Sequence, residues 1–242
     1  MTAPNLNLTA SSSVELLARL AATDITVPLV TEGRTSRHRE QYVMARFLAT
    51  RAKQNELRFP LSLVHDDQPD FVLTEDSSVV AIECIEAVPE EWYEIEALRE
   101  RFYPDEMNFG QIYRPGQRVF TKQQLHDIAS GKKAGPPWVG SMPQQQWVDA
   151  MAHFIALKTN KLRAGNYAPH ERLWLLVQDE WRVPLCHDDI HAAAMDLAPR
   201  IATLFLSPSF QAVFICSGAQ LFSFTRNCVH ATEILNLWHK HY

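Results

Sequence analysis

The sequence predicts an α/β protein with a central mixed sheet flanked by helices. Three observations carry this expectation. Two long segments, about 37–56 and 144–164, repeat apolar residues at helical spacing. Between Asp66 and Ala87, two short apolar runs flank a polar, turn-like Glu75-Asp76-Ser77. Arg172 to Asp179, RLWLLVQD, is almost continuously apolar, as expected of a central strand covered on both faces.

In chain order, residues up to about Ser11 read as a disordered tail. Ser12 and Glu15 fit a capping box for a short helix ending near Thr23, with Val14, Leu16, Leu17 and Leu20 as its apolar stripe. Ser36 is a plausible N-cap for the first long helix. Arg37, His38 and Arg39 in its first turns oppose the helix macrodipole. Phe59–His65 reads as a strand and makes a three-stranded meander with Phe71–Thr74 and Val79–Glu86. A helix follows from Val88-Pro89 to about Phe102, with Glu90, Glu91, Glu94 and Glu96 on a solvated face.

Residues 103–143 are irregular, broken by Pro104, Pro115, Pro136, Pro137 and Pro143, with one or two helical turns at Gln123–Ala129. A long insertion of this kind is usually a functional or mobile loop. The second long helix carries Trp147, Ala150, Met151, Phe154, Ile155 and Leu162, and Lys158 continues that buried stripe. After the 172–179 strand, Asp188 or Asp189 caps a helix from about Ile190 to Phe205. Strands at Ala212–Ser217 and Leu221–Thr225 follow, then a short amphipathic stretch at Thr232–His241. Residues 1–35 read as a tail with a short helix, and 36–242 as one domain.

The 242 residues, 46% hydrophobic and 21% charged, are those of an ordinary globular chain with ample core. No apolar run is long enough to span a membrane, and the N-terminus lacks a secretory pattern. Cys84, Cys186, Cys216 and Cys228 form no CxxC and read as reduced core thiols of a cytoplasmic protein. A net charge of −5 argues against a general nucleic-acid coat but not against a nuclease, whose acidic cluster adds negative charge. There is no GxSxG, GxxxxGK[ST] or GxGxxG. His187 and His191 lie one helical turn apart, but residue 188 is Asp, so HExxH is absent; capping and surface polarity explain them better.

Two carboxylates stand out. Asp70 follows Pro69 at the head of one strand, and Glu83 lies among Ile82, Cys84 and Ile85 in the next. A buried carboxylate needs a cation or a hydrogen-bond network, and two that repel each other invite a divalent ion. Pro69-Asp70 with Glu83 inside an apolar strand, set in an order of helix, three strands, helix and strand, resembles the PD-(D/E)XK nuclease superfamily, the restriction-endonuclease-like fold. The match spans roughly Ser36 to Asp179 as an αβββαβ core. It is divergent, because the Lys that this family carries two residues after the Glu is Ile85 here.

The resemblance implies a metal-dependent nuclease, an endonuclease using Mg²⁺ or Mn²⁺, acting on DNA rather than RNA, and a possible homodimer. It implies Asp70 and Glu83 as ligands, with Glu40 of the first long helix and the Cys84 carbonyl. The displaced lysine would sit on the 144–164 helix, Lys158 before Lys161, with Gln145 or Gln146 as weaker polar contributors. Arg37, Arg39, Arg114, Arg118, Lys122, Lys132 and Lys133 are the candidate phosphate contacts. Two alternatives remain open. One keeps the fold as an inactive binding or scaffolding module. The other is an unrelated α/β interaction protein in which Asp70 caps a turn and Glu83 pairs with Lys158.

Overall fold

The computed structural model describes residues 5–106, 110–165, 170–206 and 210–238. Among them, eight strands form one mixed sheet in sequence order. The strands are β1 (Leu8–Ala10), β2 (Leu61–His65), β3 (Phe71–Glu75), β4 (Ser78–Ala87), β5 (Leu173–Asp179), β6 (Ala212–Ser217), β7 (Gln220–Phe224) and β8 (Val229–Glu233). Strands β4, β5 and β6 run parallel and every other neighbouring pair is antiparallel. The helices are α1 (Ser13–Ala21), α2 (Ser36–Lys53), α3 (Trp92–Phe102), α4 (Lys122–Ala129), α5 (Met142–Arg163) and α6 (His187–Ile201).

The sheet separates two cores. On one face, Leu16 and Leu20 of α1 and Met44, Phe47 and Leu48 of α2 pack on Leu63, Phe71, Ile82, Trp174 and Phe214. On the other, Ile95 of α3, Ile128 of α4, Trp147 and Ile155 of α5 and Leu197 of α6 pack on Ala81, Leu175, Val177 and Ile215. Alternation along β4 and β5 assigns each residue to a face, because strand side chains repeat every two positions. Each large apolar side chain sealed this way contributes about 1.5–3 kcal/mol. The continuous apolar run in β5 has the expected cause: the strand is central and helices cover both its faces.

The strands of the meander and both long helices fall where the sequence places them, within a few residues. The N-terminus differs, since Leu8–Ala10 form an edge strand paired with Leu61–Leu63 rather than a disordered tail. Leu6 and Ala10 are buried, so this short segment is anchored by burial as well as pairing. Ser12 caps α1 by accepting the Glu15 N–H, whereas Thr35, not Ser36, is the N-cap of α2. Helix α6 starts earlier than expected. Cys186 is its N-cap, Asp189 reaches back to the Cys186 N–H and Asp188 is exposed. Among the described residues from Thr232 there is no helix: β8 extends to Glu233, and Ile234, Leu235 and Trp238 pack irregularly on the first core. His239 and His241 lie outside the described residues.

Two expectations based on polarity are corrected. Cys84 and Cys216 are buried thiols, but Cys186 and Cys228 are exposed. Glu91 does not belong to a solvated face; it is fully buried, and its Oε1 accepts the Val119 and Phe120 N–H groups. That carboxylate ties the 103–143 insertion to the start of α3, and Tyr113, Leu125 and Ile128 anchor the insertion in the second core. Glu91→Ala should therefore cost about 1–3 kcal/mol, because it strands buried N–H donors. Urea unfolding measures the loss, and an exposed glutamate would show almost none.

Candidate active site at Asp70, Glu83 and Lys158

The two-residue turn Asp76-Ser77 sets the register of β3 against β4. Its last ladder pair is Phe71 with Ile82, so Asp70 stands one step beyond it, beside Glu83. Phe71 and Ile82 share the α2 core, so Asp70 and Glu83 share the opposite face, under α5. With the β3 ladder finished, the Cys84 N–H has no strand partner on that side. Asp70 Oδ2 accepts it at 2.6 Å. A strand residue presents its N–H and C=O to the same neighbour, so the Cys84 carbonyl faces this gap too.

Lys158 descends from α5 into the pair. Its Nζ lies 2.7 Å from Glu83 Oε2 and 3.7 Å from Asp70 Oδ2. The side chains are 14% exposed for Lys158, 16% for Asp70 and 3% for Glu83, so solvent reaches the site from the Asp70 side. Burial pushes the Asp70 carboxyl up to about 6, against the pull of Lys158 and with the added repulsion of Glu83. The Cys84 thiol is pushed well up by burial and then by the surrounding carboxylates, so it stays protonated and inert.

Glu40 is not in contact with this trio, although its charge adds to the repulsion on Asp70 and on the Cys84 thiol. It belongs to α2, on the other face, and its Oε2 pairs with His65 Nε2 at 3.0 Å. His65 Nδ1 accepts the Leu6 N–H, which places the ring proton on Nε2, donated to Glu40. Lys161, one turn beyond Lys158, is exposed. Gln145 bonds Ser141 at the far end of α5, and Gln146 lies twelve residues before Lys158, about 18 Å along the helix. Ile85 stands where the resembled family has its lysine.

The candidate phosphate contacts divide. Arg37, at the start of α2, pairs with Asp67 in the loop leading to Asp70 and with Asn5. Arg39 is corrected: it is largely buried between Glu86 and Glu180, its charge already matched. Arg118 pairs with Glu94, and Lys133 covers the Phe120 ring at 5.1 Å. Arg114, Lys122 and Lys132 are exposed on the insertion.

Whether these residues suit a hard divalent ion is tested by their unused oxygens. Glu83 Oε1 is buried with no hydrogen-bond partner. Two carboxylates and a nearby backbone carbonyl are the oxygen donors that Mg²⁺ and Mn²⁺ prefer, and Mg²⁺ is often held by one or two carboxylates plus water and substrate phosphate. Among the described residues there is no group of three or more His, Cys, Asp or Glu placed to hold a metal ion. The oxygens gathered at this point are those of Asp70 and Glu83, with the Cys84 carbonyl facing the same gap.

A half-buried carboxylate that the sequence did not single out closes β5. Asp179 ends β5, and its oxygens accept Ser217 Oγ at 2.5 Å, Trp147 Nε1 at 2.6 Å and the Trp181 N–H at 2.9 Å. The signal was an acid closing an otherwise apolar central strand. Burial holds this carboxyl at about 6, above its ordinary 3.8, despite those donors. A raised pKa in the folded state means that the group's stabilising contribution is complete below about pH 4 and lost as pH rises through 6. Two units correspond to about 3 kcal/mol. In urea unfolding across that range, the free-energy difference between Asp179→Asn and wild type should move by about that amount in favour of Asn. A constant difference would contradict the assignment.

The class defined is an α/β protein with an eight-stranded mixed sheet flanked by helices, carrying a carboxylate pair bridged by a lysine. No helix among the described residues is long and apolar enough to cross a membrane. Compared with protein-family models, curated proteins and solved structures, the chain matches none.

Proposed function

We propose that this protein is a metal-dependent nuclease of the restriction-endonuclease-like kind, hydrolysing phosphodiesters in DNA. The observation that carries the reading is the convergence of Asp70, Glu83 and Lys158 on one sheet face, with Glu83 Oε1 left without a partner. Helix α2, the meander, α5 and β5 follow one another in the order expected of an αβββαβ core, with α3 and α4 as additions between the meander and α5. Asp70, Glu83 and the Cys84 carbonyl would hold Mg²⁺ or Mn²⁺. Such an ion, when bound, supplies a water of lowered pKa and charge compensation for the phosphate.

The chain's own residues divide the remaining work. Asp70, on the solvent side, meets the incoming phosphate and water, while Glu83 fixes the floor. Lys158 Nζ carries three donors and one positive charge between them. Turned toward the phosphate, it stabilises negative charge developing on the non-bridging oxygens. It thereby takes the place of the lysine that Ile85 replaces. Arg37 would meet a neighbouring phosphate by giving up the exposed Asp67.

The test is incubation of the full chain with single- and double-stranded DNA and with RNA, in Mg²⁺, in Mn²⁺ and in chelator. Cleavage of DNA that needs the divalent ion is expected. No cleavage of any substrate in either metal would refute the activity.

One observation favours a second reading. The 2.7 Å Lys158–Glu83 pair already supplies Glu83 with a counter-ion, as in a nuclease fold that retains its charges and has lost its chemistry. On that reading the chain is a binding module, and calorimetry detects no Mn²⁺ association.

A further inference from the structure

Asp179 shares with the buried Glu91 the lack of any ion pair among the described residues, but Asp179 alone of the two lines a cavity. Glu83 has Lys158, Glu86 has Arg39 and Glu100 has Arg34. Among the described residues, none of the ion pairs includes Asp179. Its three donors are the neutral groups of Trp147, Ser217 and Trp181, which orient the carboxylate without cancelling its charge. A buried charge left unmatched is costly, and in folded proteins such charges are normally paired. Arg46 of α2 donates to the carbonyl of Gly218, a residue of the cavity wall, at 3.1 Å, but forms no ion pair with Asp179 among the described residues.

The carboxylate lines a cavity of about 360 Å³. Apolar Val183, Leu185 and Ile190 and the largely buried Trp181 form much of its wall, and no Lys or Arg lines it. The cavity sits at the carboxyl ends of the parallel strands β5 and β6, against the start of α6. Open α/β sheets bind their ligands outside those strand ends. The volume is at the lower end of the range for small-molecule sites.

We propose that this cavity binds a small organic ammonium ion, its charged nitrogen paired with Asp179 and its carbon body against the apolar wall. A carboxylate can accept about four hydrogen bonds and Asp179 receives three from the protein, which leaves it able to accept an N–H from the ligand. Trp181 supplies an aromatic ring for a methylated ammonium. An anion would find the α6 N-terminus and His187 at the rim, but Asp189 already caps that end and Asp188 adds negative charge there. Held near 6, the carboxyl is still largely ionised at neutral pH. Trp147, which bonds Asp179, precedes Lys158 by eleven residues, about 16 Å along α5, so this site stands or falls independently of the nuclease reading.

The Trp147 indole N–H is a built-in reporter, because it donates directly to Asp179. In ¹H–¹⁵N spectra of the labelled full chain, ethylammonium and tetramethylammonium chlorides are titrated against sodium chloride at equal ionic strength. A saturable shift of that indole resonance with an ammonium salt and none with sodium is expected. Asp179→Asn should weaken the response at least about tenfold. A second arm avoids dependence on that variant: in a Cys228→Ser background, N-ethylmaleimide attached to Cys186 at the rim should block the shift in folded protein. No saturable response to either ammonium salt, or responses unchanged by both alterations, would overturn the proposal.

Discussion

Lys158→Met is expected to lower the unfolding free energy at about pH 7 by about 3–5 kcal/mol, as when one partner of a buried ion pair is removed. The reason is geometric. Lys158 Nζ serves Glu83 at 2.7 Å and Asp70 at 3.7 Å, and Glu83 has almost no contact with solvent. Without the ammonium, two carboxylates face each other with no counter-charge. The loss should shrink in acid, because Asp70 already titrates at about 6 and Lys158 is what pulls it down. Urea unfolding at about pH 7 and about pH 5 checks both statements. The double variant Glu83→Leu with Lys158→Met should return to within roughly 1–2 kcal/mol of wild type, since an apolar replacement of a buried pair is often neutral. If a divalent ion binds here, Mn²⁺ should stabilise Lys158→Met more than wild type, because no ammonium then competes for the carboxylates. A loss below about 1 kcal/mol would mean that the pair is surface-like.

On the proposed nuclease activity, Asp70→Asn is expected to reduce DNA cleavage by about a hundredfold to a thousandfold while the protein stays folded. Removing one ligand of the proposed ion and one full negative charge acts on transition-state charge, where single groups are worth about 10²–10³. Stability should hold or rise. The asparagine oxygen can still accept the Cys84 N–H, and the repulsion between Asp70 and Glu83 disappears. Glu83→Gln should also abolish cleavage, but with a stability loss, because it leaves Lys158 less well matched. That contrast separates a site residue from a folding residue. Cleavage rates and urea midpoints on the same preparations measure it. Wild-type activity in Asp70→Asn would remove Asp70 from the mechanism.

Much of this geometry was legible in the sequence. The apolar stripe of α5 includes Lys158; a snorkelling lysine would turn to solvent, but this one meets the carboxylates. The tight turn after Glu75 was legible too. Five residues back from Glu75 is Asp70, and five forward from Ser78 is Glu83, so the turn alone sets them side by side. What was hidden depended on tertiary partners. Glu40 faces His65 because α2 covers the opposite side of the sheet, which no local pattern encodes. Arg39 looked available for phosphate until Glu86 and Glu180, distant in sequence, were brought against it. Glu91 read as solvated because its partners, Val119 and Phe120, lie in a stretch whose sequence shows no regular element. Leu8–Ala10 was too short for a periodic signal, and its pairing depends on the unprotected edge of β2. Asp179 carried a visible clue, but its isolation from any cation is a property of packing.

Metal at the carboxylate pair is the claim on which the nuclease reading turns. Crystals of the protein soaked in Mn²⁺ and measured for anomalous scattering address it directly. The account predicts a peak bonded to oxygens of both Asp70 and Glu83, with the Lys158 ammonium displaced from Glu83. A clean map there, with the Lys158–Glu83 contact intact, would contradict it.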